Sequence, residues 1–349
     1  MKLKYAFLLV ALLSLGACSN PSLETSESES ISESEHEQTV IEKYKVKTLQ
    51  SHIADSNFRN GFEQMSQYTT DAHVEGVLDY GGNRETDHYN PESENKTYWQ
   101  HCQWWSPFNF MNATYSQVGD VHRYQNESRL MEVNPKLGTL KMALNSGAEY
   151  DFLYGGKLPA DKSWAHFLIQ QSFPPELYIP VHEYDEIRVK LDITIDKANY
   201  VGKEAKQYDS ECAQLLFYFS IAERDPETGK AGNAMWFGVP IFDTRYNYVS
   251  EHHAMDTGFT GATGKLIHSI SSKEYMGTGP VQMGKKYSID LNVREHIQDA
   301  FVRAVSENIF KDANWKNFTI YYMNFGWELP GEYDVSATIS YLDVVTVKY

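Results

Sequence analysis

The sequence predicts an all-β fold: an antiparallel two-sheet jelly-roll sandwich with one late amphipathic helix. Three observations predict it. Short segments of alternating apolar and polar residues recur along most of the chain, which is the pattern of strands whose two faces meet different surroundings. Turn residues separate these segments. A single stretch near the C-terminus has helical periodicity instead, and many short strands with frequent turns are typical of a sandwich.

The N-terminus predicts an exported protein. Basic residues precede an apolar run at 6–13, which is too short to be a stable membrane span. The residues Leu15, Gly16, Ala17 and Cys18 that follow resemble the lipobox of bacterial lipoproteins. The resemblance implies a signal peptide over residues 1–17 and acylation of Cys18, by palmitate among other chains, which would anchor the protein to a membrane. The alternative is a plain export signal with an unmodified cysteine.

A tether and one domain are expected to follow the signal. Residues 18–43 are rich in Ser and Glu and have almost no large apolar side chains, so they cannot bury enough surface to fold. We interpret them as a disordered tether behind the lipidated cysteine. Residues 44–349 suit a single β-sandwich domain. The expected location is the cell envelope, where the exported, lipid-anchored domain would be displayed on the outer surface.

The charge of the chain narrows the class of partner. The chain carries 31 basic and 47 acidic residues, a net charge of −16, and residues 44–349 retain 28 basic and 40 acidic residues, a net charge of −12. An acidic domain disfavours nucleic acid, since affinity for nucleic acid comes largely from neutralising phosphates. The same balance counts against a strongly anionic polysaccharide, unless a local basic cluster overrides it.

The predicted elements can be placed in chain order. In the least regular part of the domain, 56–65 is expected to form a short helix or an edge strand, 68–96 a long loop, and 99–115 is an aromatic run without a clear period. Clearer strands are expected over 129–144 as a pair, 150–154, 165–173, 187–195, 214–221, 234–242, 286–293, 318–327 and 335–347. The segments 214–221 and 234–242 flank a turn and should pair antiparallel. The helix is expected over 294–310.

One strand, within residues 163–173, carries the main functional hypothesis. Its alternation should send Trp164, His166 and Gln170 to one face and apolar side chains to the other. The residues expected in the core are Ala165, Phe167, Ile169 and Phe173. A tryptophan ring can stack on the apolar side of a pyranose while amides meet its hydroxyl groups. The sequence therefore predicts a sugar-binding face here, unless the loop over 68–96 covers this face and makes it a second, minor core.

A strand near the C-terminus offers further candidates. Tyr322, Asn324 and Glu328 are expected on one face of this strand. The residues expected on the opposite face are Tyr321, Met323, Phe325 and Trp327. Asn324 suits the recognition of hydroxyl groups, and Glu328 could act as an acid or base if partial burial raised its pKa. The alternative for Glu328 is a glutamate at a strand end that merely meets solvent.

More aromatic residues are candidates for the same surface. Tyr218 and Trp236 fall on paired strands, where they would extend an aromatic floor or belong to an ordinary core. Trp104 and Trp105, close to His101, would form a platform at one end of a cleft. The alternative for this tryptophan pair is a hydrophobic anchor for the N-terminal segment.

Arg245 is the candidate cation of the site. Its paired donors would suit the carboxylate of a uronic acid, whereas an internal ion pair with Asp243 is the alternative. Cys102 and Cys212 lack the spacing of metal ligands, so no zinc site is predicted. In an exported protein they form either one disulfide or two buried thiols, and the sequence leaves both open.

The order of strands, the late helix and the ending NFGWELPGEYDVSATISYLDVV resemble bacterial concanavalin-like jelly-roll proteins, which bind or cut polysaccharides. No catalytic signature of such a protein is complete. Members of the alginate-lyase type carry Gln and His two positions apart on one strand, whereas His166 and Gln170 are four apart. Retaining glucanases of this shape present two glutamates on facing strands, whereas only Glu328 lies at a convincing strand end. A structural calcium ion is left open by analogy, and no other cofactor is expected.

The first hypothesis of function is a cell-surface lipoprotein that binds a polysaccharide or oligosaccharide in a concave aromatic groove. It requires only rings and hydroxyl-matching side chains along one groove, which the candidates above supply. An alternative without a small ligand is a structural or adhesive surface protein, which the acidic domain and tether would also fit.

The second hypothesis is a carbohydrate-active enzyme that uses the same groove. A glycoside hydrolase needs two carboxylates about 5–10 Å apart, so Glu328 would act with Glu223 or Asp243. A polysaccharide lyase needs a base, which would be His166 or Tyr322. It also needs a cation near the uronate, and Arg245 is the candidate for that role.

Overall fold

The computed structural model describes residues 47–81, 96–206, 211–225, 227–257 and 262–349. The predicted signal peptide, the lipidation site at Cys18 and the tether over 18–43 lie outside the described residues. The division of the chain into signal, tether and domain therefore stays a prediction. Within the described ranges, no helix is both long enough and apolar enough to cross a membrane.

The described residues form eighteen strands and three α-helices. In chain order the strands are β1 (Thr48–Ser51), β2 (Phe62–Met65), β3 (Val74–Leu78), β4 (Trp99–Cys102), β5 (Thr114–Val118), β6 (Val121–Gln125), β7 (Arg129–Asn134), β8 (Thr139–Asn145), β9 (Ala165–Ser172), β10 (Ile179–Pro180), β11 (Glu186–Tyr200), β12 (Gln214–Arg224), β13 (Ala231–Asp243), β14 (His252–Met255), β15 (Leu266–Ser269), β16 (Lys286–Asn292), β17 (Phe318–Leu329) and β18 (Tyr333–Lys348). The helices are Ser146–Tyr154, Lys273–Met276 and Arg294–Ser306.

The strands form two sheets, which confirms the predicted all-β jelly-roll sandwich. Sheet A has the order β16-β11-β18-β8-β7-β6-β5, with β1 paired to β18. Sheet B has the order β14-β15-β13-β12-β17-β9-β4-β2-β3, with β10 paired to β17. Pairing is antiparallel except between β13 and β15 and between β2 and β4. The antiparallel pair expected over 214–221 and 234–242 is confirmed as β12 and β13.

The inward faces of the two sheets share one hydrophobic core. In β11 the alternation is regular: Ile187, Val189 and Leu191 are at most 1% exposed, and the residues between them are half-buried. In β9, Phe167 and Ile169 are fully buried. Burying one such side chain stabilises the fold by about 1.5–3 kcal/mol. The alternation that predicted the strands is therefore also what holds the two sheets together.

A buried ion pair connects the two sheets. Arg129 in β7 and Glu149 in the first helix are at most 1% exposed, and Arg129 Nε donates to Glu149 Oε1 at 2.9 Å. The hydroxyl groups of Ser106 and Ser128 donate to the same carboxylate oxygen. Arg129 Nη1 donates to the backbone carbonyl of His166 in β9 at 2.7 Å. Buried charges are tolerated when they are paired and hydrogen-bonded in this way, and this pair fixes the start of β9 from the opposite sheet.

In two segments, the residues at the ends determine where a helix forms and where it stops. The strand expected over 150–154 is wrong, because these residues belong to the helix Ser146–Tyr154. Asn145 caps its N-terminus by accepting from the backbone of Ala148, and Gly155 ends it in a left-handed conformation with φ of 74°. The late helix is confirmed, but it ends at Ser306 rather than at 310, two positions before Asn308, whose φ is 57°.

The N-terminal part of the domain contains more strand than expected. Segment 56–65 holds β2, which is not an edge strand because β3 pairs outside it. The strand β3 falls within the loop expected over 68–96, so that expectation is wrong for Val74–Leu78, and residues 82–95 lie outside the described part of the chain. The strands β1, β6, β14 and β15 are not predicted from the sequence either. Each has four or five residues, which is too short to show a period.

The two cysteines of the domain are unbridged. Cys102 and Cys212 are both buried and free. Burial raises the pKa of both thiols, so they stay protonated and unreactive at neutral pH. Of the two alternatives that the sequence left open, the structure has two buried thiols.

Candidate binding cleft

A cleft of about 860 Å³ lies on the outer face of sheet B. Six neighbouring strands, β9, β17, β12, β13, β15 and β14, supply most of its lining. The structure brings most of the sequence-predicted candidates together in this cleft. Those that line it are Trp104, Trp164, His166, Gln170, Tyr218, Trp236, Arg245, Tyr322, Asn324 and Glu328.

Strand register explains why these residues converge. Glu328 in β17 lies opposite His166 in β9, and Asn324 lies opposite Gln170. Directly opposed residues on neighbouring strands share one face of the sheet. Residues of the opposite parity, such as Phe167 and Trp327, are fully buried in the core. Parity along each strand and pairing between strands therefore place the predicted side chains on a single surface.

A β-bulge turns two consecutive tyrosines to the cleft face. The pairing of β12 with β17 skips one residue, because Ser220 opposes Tyr322 whereas Ile221 opposes Ile320. The extra residue of a bulge has no partner and departs from the alternation. The hydroxyl of Ser220, on the face of Tyr322, donates to the hydroxyl of Tyr321 at 2.9 Å. The expectation that Tyr321 faces away from Tyr322 is therefore wrong.

Tyr218, Trp236 and Tyr322 form an aromatic floor. The Trp236 ring meets the other two edge-on, with its centroid 6.3 Å from that of Tyr218 and 5.8 Å from that of Tyr322. Gly238 makes room for Tyr218, since a Cβ at this glycine would lie 2.6 Å from the tyrosine ring. The ammonium nitrogen of Lys265 lies 4.6 Å from the Trp236 centroid, a cation–π contact over one side of the indole. All three floor residues are half-buried, so part of each remains accessible from the cleft.

A row of hydrogen bonds crosses sheet B beside the aromatic floor. The Tyr322 hydroxyl donates to Gln170 Oε1. Gln170 Nε2 donates to Gln100 Oε1 at 2.7 Å, and Gln100 Nε2 donates to Glu63 Oε2 at 2.8 Å. Burial raises the pKa of the groups at both ends, Tyr322 and Glu63. The phenol of Tyr322 therefore stays protonated at neutral pH, which makes it a hydrogen-bond donor and a poor base.

Glu328 forms a compact cluster with Trp164 and His166. Trp164 Nε1 donates to Glu328 Oε2 at 3.1 Å, and His166 Nε2 lies 3.6 Å from the same oxygen. His166 Nδ1 lies 2.8 Å from the carbonyl oxygen of Trp164, and because a carbonyl only accepts, this nitrogen carries a proton. Burial lowers the pKa of His166, although the nearby Glu328 partly opposes the shift. A neutral imidazole would thus direct the lone pair of Nε2 toward the carboxyl group.

Arg245 forms an ion pair inside the protein. Its Nη2 donates to Asp243 Oδ2 at 2.6 Å, and its Nε donates to Asp243 Oδ1 at 3.0 Å. Asp243 is 1% exposed and also accepts from Gln214 Nε2 at 3.0 Å. The hydrogen-bonded Asp243 raises the pKa of the Arg245 guanidinium. The alternative weighed from the sequence is thus the observed one, and Asp243 is not a free carboxylate that could act with Glu328.

The second partner expected for a hydrolase is also absent from the site. Glu223 lies in β12 nine positions beyond Gln214, the residue opposite Glu328, which places it roughly 30 Å away along the strand. Its carboxylate instead accepts hydrogen bonds from the side chain of Asn233 and the backbone of Asn314. Glu223 is therefore wrong as the partner of Glu328.

The structure separates the two tryptophans expected to form a platform. Trp104 lines the cleft and packs against a small buried cluster that includes Leu168. Trp105 lies outside the lining and meets Tyr68 edge-on, with ring centroids 5.7 Å apart. His101 is fully buried and contacts aromatic rings of the core, so it does not extend a platform. Only Trp104 is positioned to contact a ligand in the cleft.

One wall of the cleft is not predicted from the sequence. The strands β14 and β15 and the loop between them supply side chains that include Ala254, Asp256 and Thr263. Asp256 accepts from the Thr263 hydroxyl at 2.6 Å, which ties the two ends of this loop together. The strands are only four residues long, so no sequence signal marks this wall. Thr69 and Ala72, from the loop expected over 68–96, also line the cleft.

No candidate metal-binding site is found in the described part of the chain. Across these ranges, no group of three or more His, Cys, Asp or Glu side chains is arranged to hold a metal ion.

Comparisons with known proteins give only distant similarity. No protein-family model matches this chain, and no curated protein matches it significantly in sequence. Among solved structures, a native family 12 xyloglucanase from Bacillus licheniformis is 14% identical, with 68% of this chain and 97% of that chain covered and a TM-score of 0.39. A family 11 xylanase from Neocallimastix patriciarum is 12% identical, with 71% and 99% covered and a TM-score of 0.37. Endoglucanase Cel12A from Rhodothermus marinus is 11% identical, with 68% and 96% covered and a TM-score of 0.35. Scores of this size assign neither a family nor an activity.

Proposed function

We propose that this chain is a cell-envelope lipoprotein that binds a polysaccharide or oligosaccharide in the cleft of sheet B. The observation that carries the proposal is the aromatic floor of Tyr218, Trp236 and Tyr322, which lies in one cleft with amide side chains and with Trp164. Rings of this kind stack on the apolar faces of sugars, and the amides beside them suit hydroxyl groups. Neutral rings and amides also suit a domain whose net charge is −12.

The dimensions of the cleft favour a chain of sugars over a single one. Six neighbouring strands contribute to the lining, and strands in a sheet lie about 4.8 Å apart, so the cleft is roughly 24 Å across. Its volume of about 860 Å³ is at the upper end of the range for ligand pockets. Glu328 lies six positions along β17 from Tyr322, roughly 20 Å, so only an extended oligosaccharide would contact both the floor and the Glu328 cluster.

Binding is favoured over hydrolysis because neither of the two carboxylates expected to act with Glu328 is available to it. A glycoside hydrolase needs a second carboxyl group about 5–10 Å away across the scissile bond. Asp243 is hydrogen-bonded to Arg245 and Gln214. Glu223 lies far along β12 from the residue opposite Glu328. A binding site needs no second carboxylate, so the arrangement is sufficient for binding.

Isothermal titration of the full chain against a panel of neutral and acidic polysaccharides tests the proposal. We expect binding to at least one glycan, and we expect Trp236→Ala to weaken it by at least ~10-fold, about 1.4 kcal/mol. The matched control is Trp105→Ala, which removes an indole outside the cleft lining and should leave affinity unchanged. Absence of binding across the whole panel would favour a structural or adhesive role instead.

A second candidate function, a carbohydrate-active enzyme, is favoured by one observation. His166 Nε2 lies 3.6 Å from Glu328 Oε2 within a partly buried cluster, an arrangement that can hold or move a proton. New reducing ends would indicate a hydrolase, and unsaturated products that absorb ultraviolet light would indicate a lyase. If turnover is found and both His166→Ala and Glu328→Gln leave it intact, these two residues do not catalyse it.

The location follows from the lipobox resemblance. Within this proposal, cleavage before Cys18 and acylation of its thiol and new amine anchor the chain, and residues 18–43 hold the domain away from the membrane. Two or three acyl chains bury enough methylene groups for durable anchoring. An outer-surface location would bring the cleft within reach of extracellular glycans.

A further inference from the structure

Arg224, at the end of β12, is held between two tyrosine rings. Its guanidinium carbon lies 4.9 Å from the ring centroid of Tyr178 and 4.7 Å from that of Tyr321. The two rings meet nearly at right angles, with centroids 6.5 Å apart. Cation–π contacts of this kind hold an arginine in place without neutralising its charge. We refer to Arg224, Tyr178 and Tyr321 as the arginine clamp.

The guanidinium of Arg224 has no ion pair or hydrogen bond within the described residues. Its Nε is buried without an acceptor there. The two acidic neighbours in sequence are engaged elsewhere: Glu223 accepts from Asn233 and Asn314, and Asp225 accepts from Thr228 in its own turn. In a domain with 40 acidic and 28 basic residues, an arginine left without a carboxylate is unexpected. Arg224 as a whole is half-buried, so part of its side chain stays within reach of a ligand, and an anionic group would be favoured beside a guanidinium that lacks a carboxylate.

The arginine clamp lies on the same face of sheet B as the cleft. Tyr321 follows directly on from Ile320 and precedes Tyr322 of the aromatic floor, and the β-bulge in β17 turns it to the cleft face. Ser220, whose hydroxyl donates to Tyr321, lies opposite both Tyr322 and Trp236 in the sheet register. From Ser220 to Arg224 is four positions along β12, or roughly 13 Å. One sugar chain can therefore reach both the floor and the clamp.

We infer that the arginine clamp binds an anionic substituent of the glycan that lies in the cleft. This inference rests on the proposed function and names the class of ligand: a sugar chain that is mostly neutral along the floor and carries a carboxylate or a sulfate ester at one end. Both groups present oxygen pairs that match the fork of a guanidinium. One fixed arginine selects for a single negative group, which is compatible with a domain that disfavours a strongly anionic polymer.

Isothermal titration of the full chain with oligosaccharides of matched length tests the inference. The probes are neutral xylo- and cello-oligosaccharides, uronate-bearing oligosaccharides and sulfated galactan oligosaccharides. We expect tighter binding of an anionic probe than of its neutral counterpart, and we expect added salt to reduce the difference. Comparison of the uronate-bearing probes with the sulfated probes shows which of the two anionic groups the clamp binds.

Variants distinguish the contribution of the arginine clamp to binding from that of the aromatic floor. Arg224→Gln should weaken binding of the anionic probe by about 10-fold or more and leave neutral probes unchanged, since a hydrogen bond to a charged group is lost. Arg224→Lys, which keeps the charge without the planar fork, should give an intermediate loss and serves if the Gln variant folds poorly. Arg123→Gln is the matched control, because Arg123 is an exposed arginine in sheet A that pairs with Glu132.

Two outcomes would overturn the inference while the proposed function stands. One is equal binding of neutral and anionic probes, and the other is an equal effect of Arg224→Gln on both. If none of the probes binds, the inference and the proposed function fail together.

Discussion

Gly326 is the residue that sets how closely β9 and β17 approach beneath the cleft. It lies between Asn324 and Glu328 on the cleft face and has a φ of 153°. A Cβ at this position would lie 2.2 Å from the carbonyl oxygen of Phe167 and 2.8 Å from a backbone atom of Leu168. The contact is with backbone, which cannot move aside without breaking the ladder that carries the predicted site.

We therefore predict that Gly326→Ala destabilises the domain by about 3 kcal/mol or more, because strained backbone and a backbone clash combine. Gly119→Ala is the matched control. Gly119 also has a positive φ, 61°, but nothing lies within 4 Å of its added Cβ, so a cost of only about 1 kcal/mol is expected. Urea denaturation of both variants measures the difference, and equal midpoints would refute the steric argument.

Individual residues also show where sequence reasoning succeeds. His166, Gln170, Asn324 and Glu328 can be placed on one face by parity alone, because their strands contain no irregularity between them. Tyr321 cannot, because the bulge depends on pairing with β12 and leaves no mark on the sequence of β17. Roles are harder to predict than positions, since the partners that engage Gln170, the side chains of Tyr322 and Gln100, come from neighbouring strands.

Among the elements, the helix Ser146–Tyr154 and β7 are joined by the buried pair of Arg129 and Glu149. Removing one charge would leave the other buried without its partner, at a typical cost of 3–5 kcal/mol. We predict that Arg129→Met and Glu149→Leu are each destabilised by about this amount. The double variant should be more stable than the sum of the single changes implies, because neither charge is then left alone. Chemical denaturation of all four proteins measures this coupling, and additive costs would argue against a paired role.

A second element-scale prediction concerns β14, β15 and the late helix. His253 Nδ1 of β14 lies 2.8 Å from His268 Nδ1 of β15. Burial, together with the neighbouring His253, lowers the pKa of His268 from 6.5 to about 4. The other charged groups that face this pair are Glu251, His296, Arg303 and Glu307.

Because the folded state disfavours protonation of His268, the unfolded chain binds the extra proton between about pH 6.5 and pH 4. The contribution of His268 to stability is therefore present above about pH 6.5 and is lost as the pH falls, by roughly 3 kcal/mol at most. We predict that His268→Gln has a shallower loss of stability across this window than the parent protein. Urea midpoints measured at several pH values test this, and identical slopes would contradict it.

Elements differ in how far the sequence determines them. Long strands such as β11 and β18 and the late helix are predictable because one face of each is apolar over several periods. The short strands β14 and β15 are not predictable, although they form a wall of the cleft, because tertiary pairing and not local pattern creates them. The helix Ser146–Tyr154 resembles a strand in sequence because its aromatic residues outweigh the signal of its caps, Asn145 and Gly155.

For the whole molecule, the proposed anchor makes a prediction that does not depend on the cleft. We expect Cys18→Ser to abolish acylation and to shift the protein from the detergent phase to the aqueous phase in a Triton X-114 separation. The sandwich should be unaffected, since the change lies far outside residues 47–349. Cys212→Ser is the control for loss of a thiol and should remain in the detergent phase. Retention of Cys18→Ser in the detergent phase would contradict lipidation at this residue.

At the scale of the whole molecule, fold class follows from the sequence and function follows only in outline. Alternation and turns suffice to predict two antiparallel sheets, because a sandwich is the arrangement that buries one face of each strand. The identity of a sugar depends on distances between side chains on six strands, which no single segment encodes.

The central claim is that a glycan lies across the aromatic floor on the outer face of sheet B. A crystal structure of the full domain with the tightest-binding oligosaccharide of the panel tests it most directly. We expect sugar rings packed on Trp236 and Tyr322, with hydroxyl groups within hydrogen-bond distance of Asn324 or Glu328. A sugar bound elsewhere on the surface, with the cleft of sheet B holding only water, would contradict it.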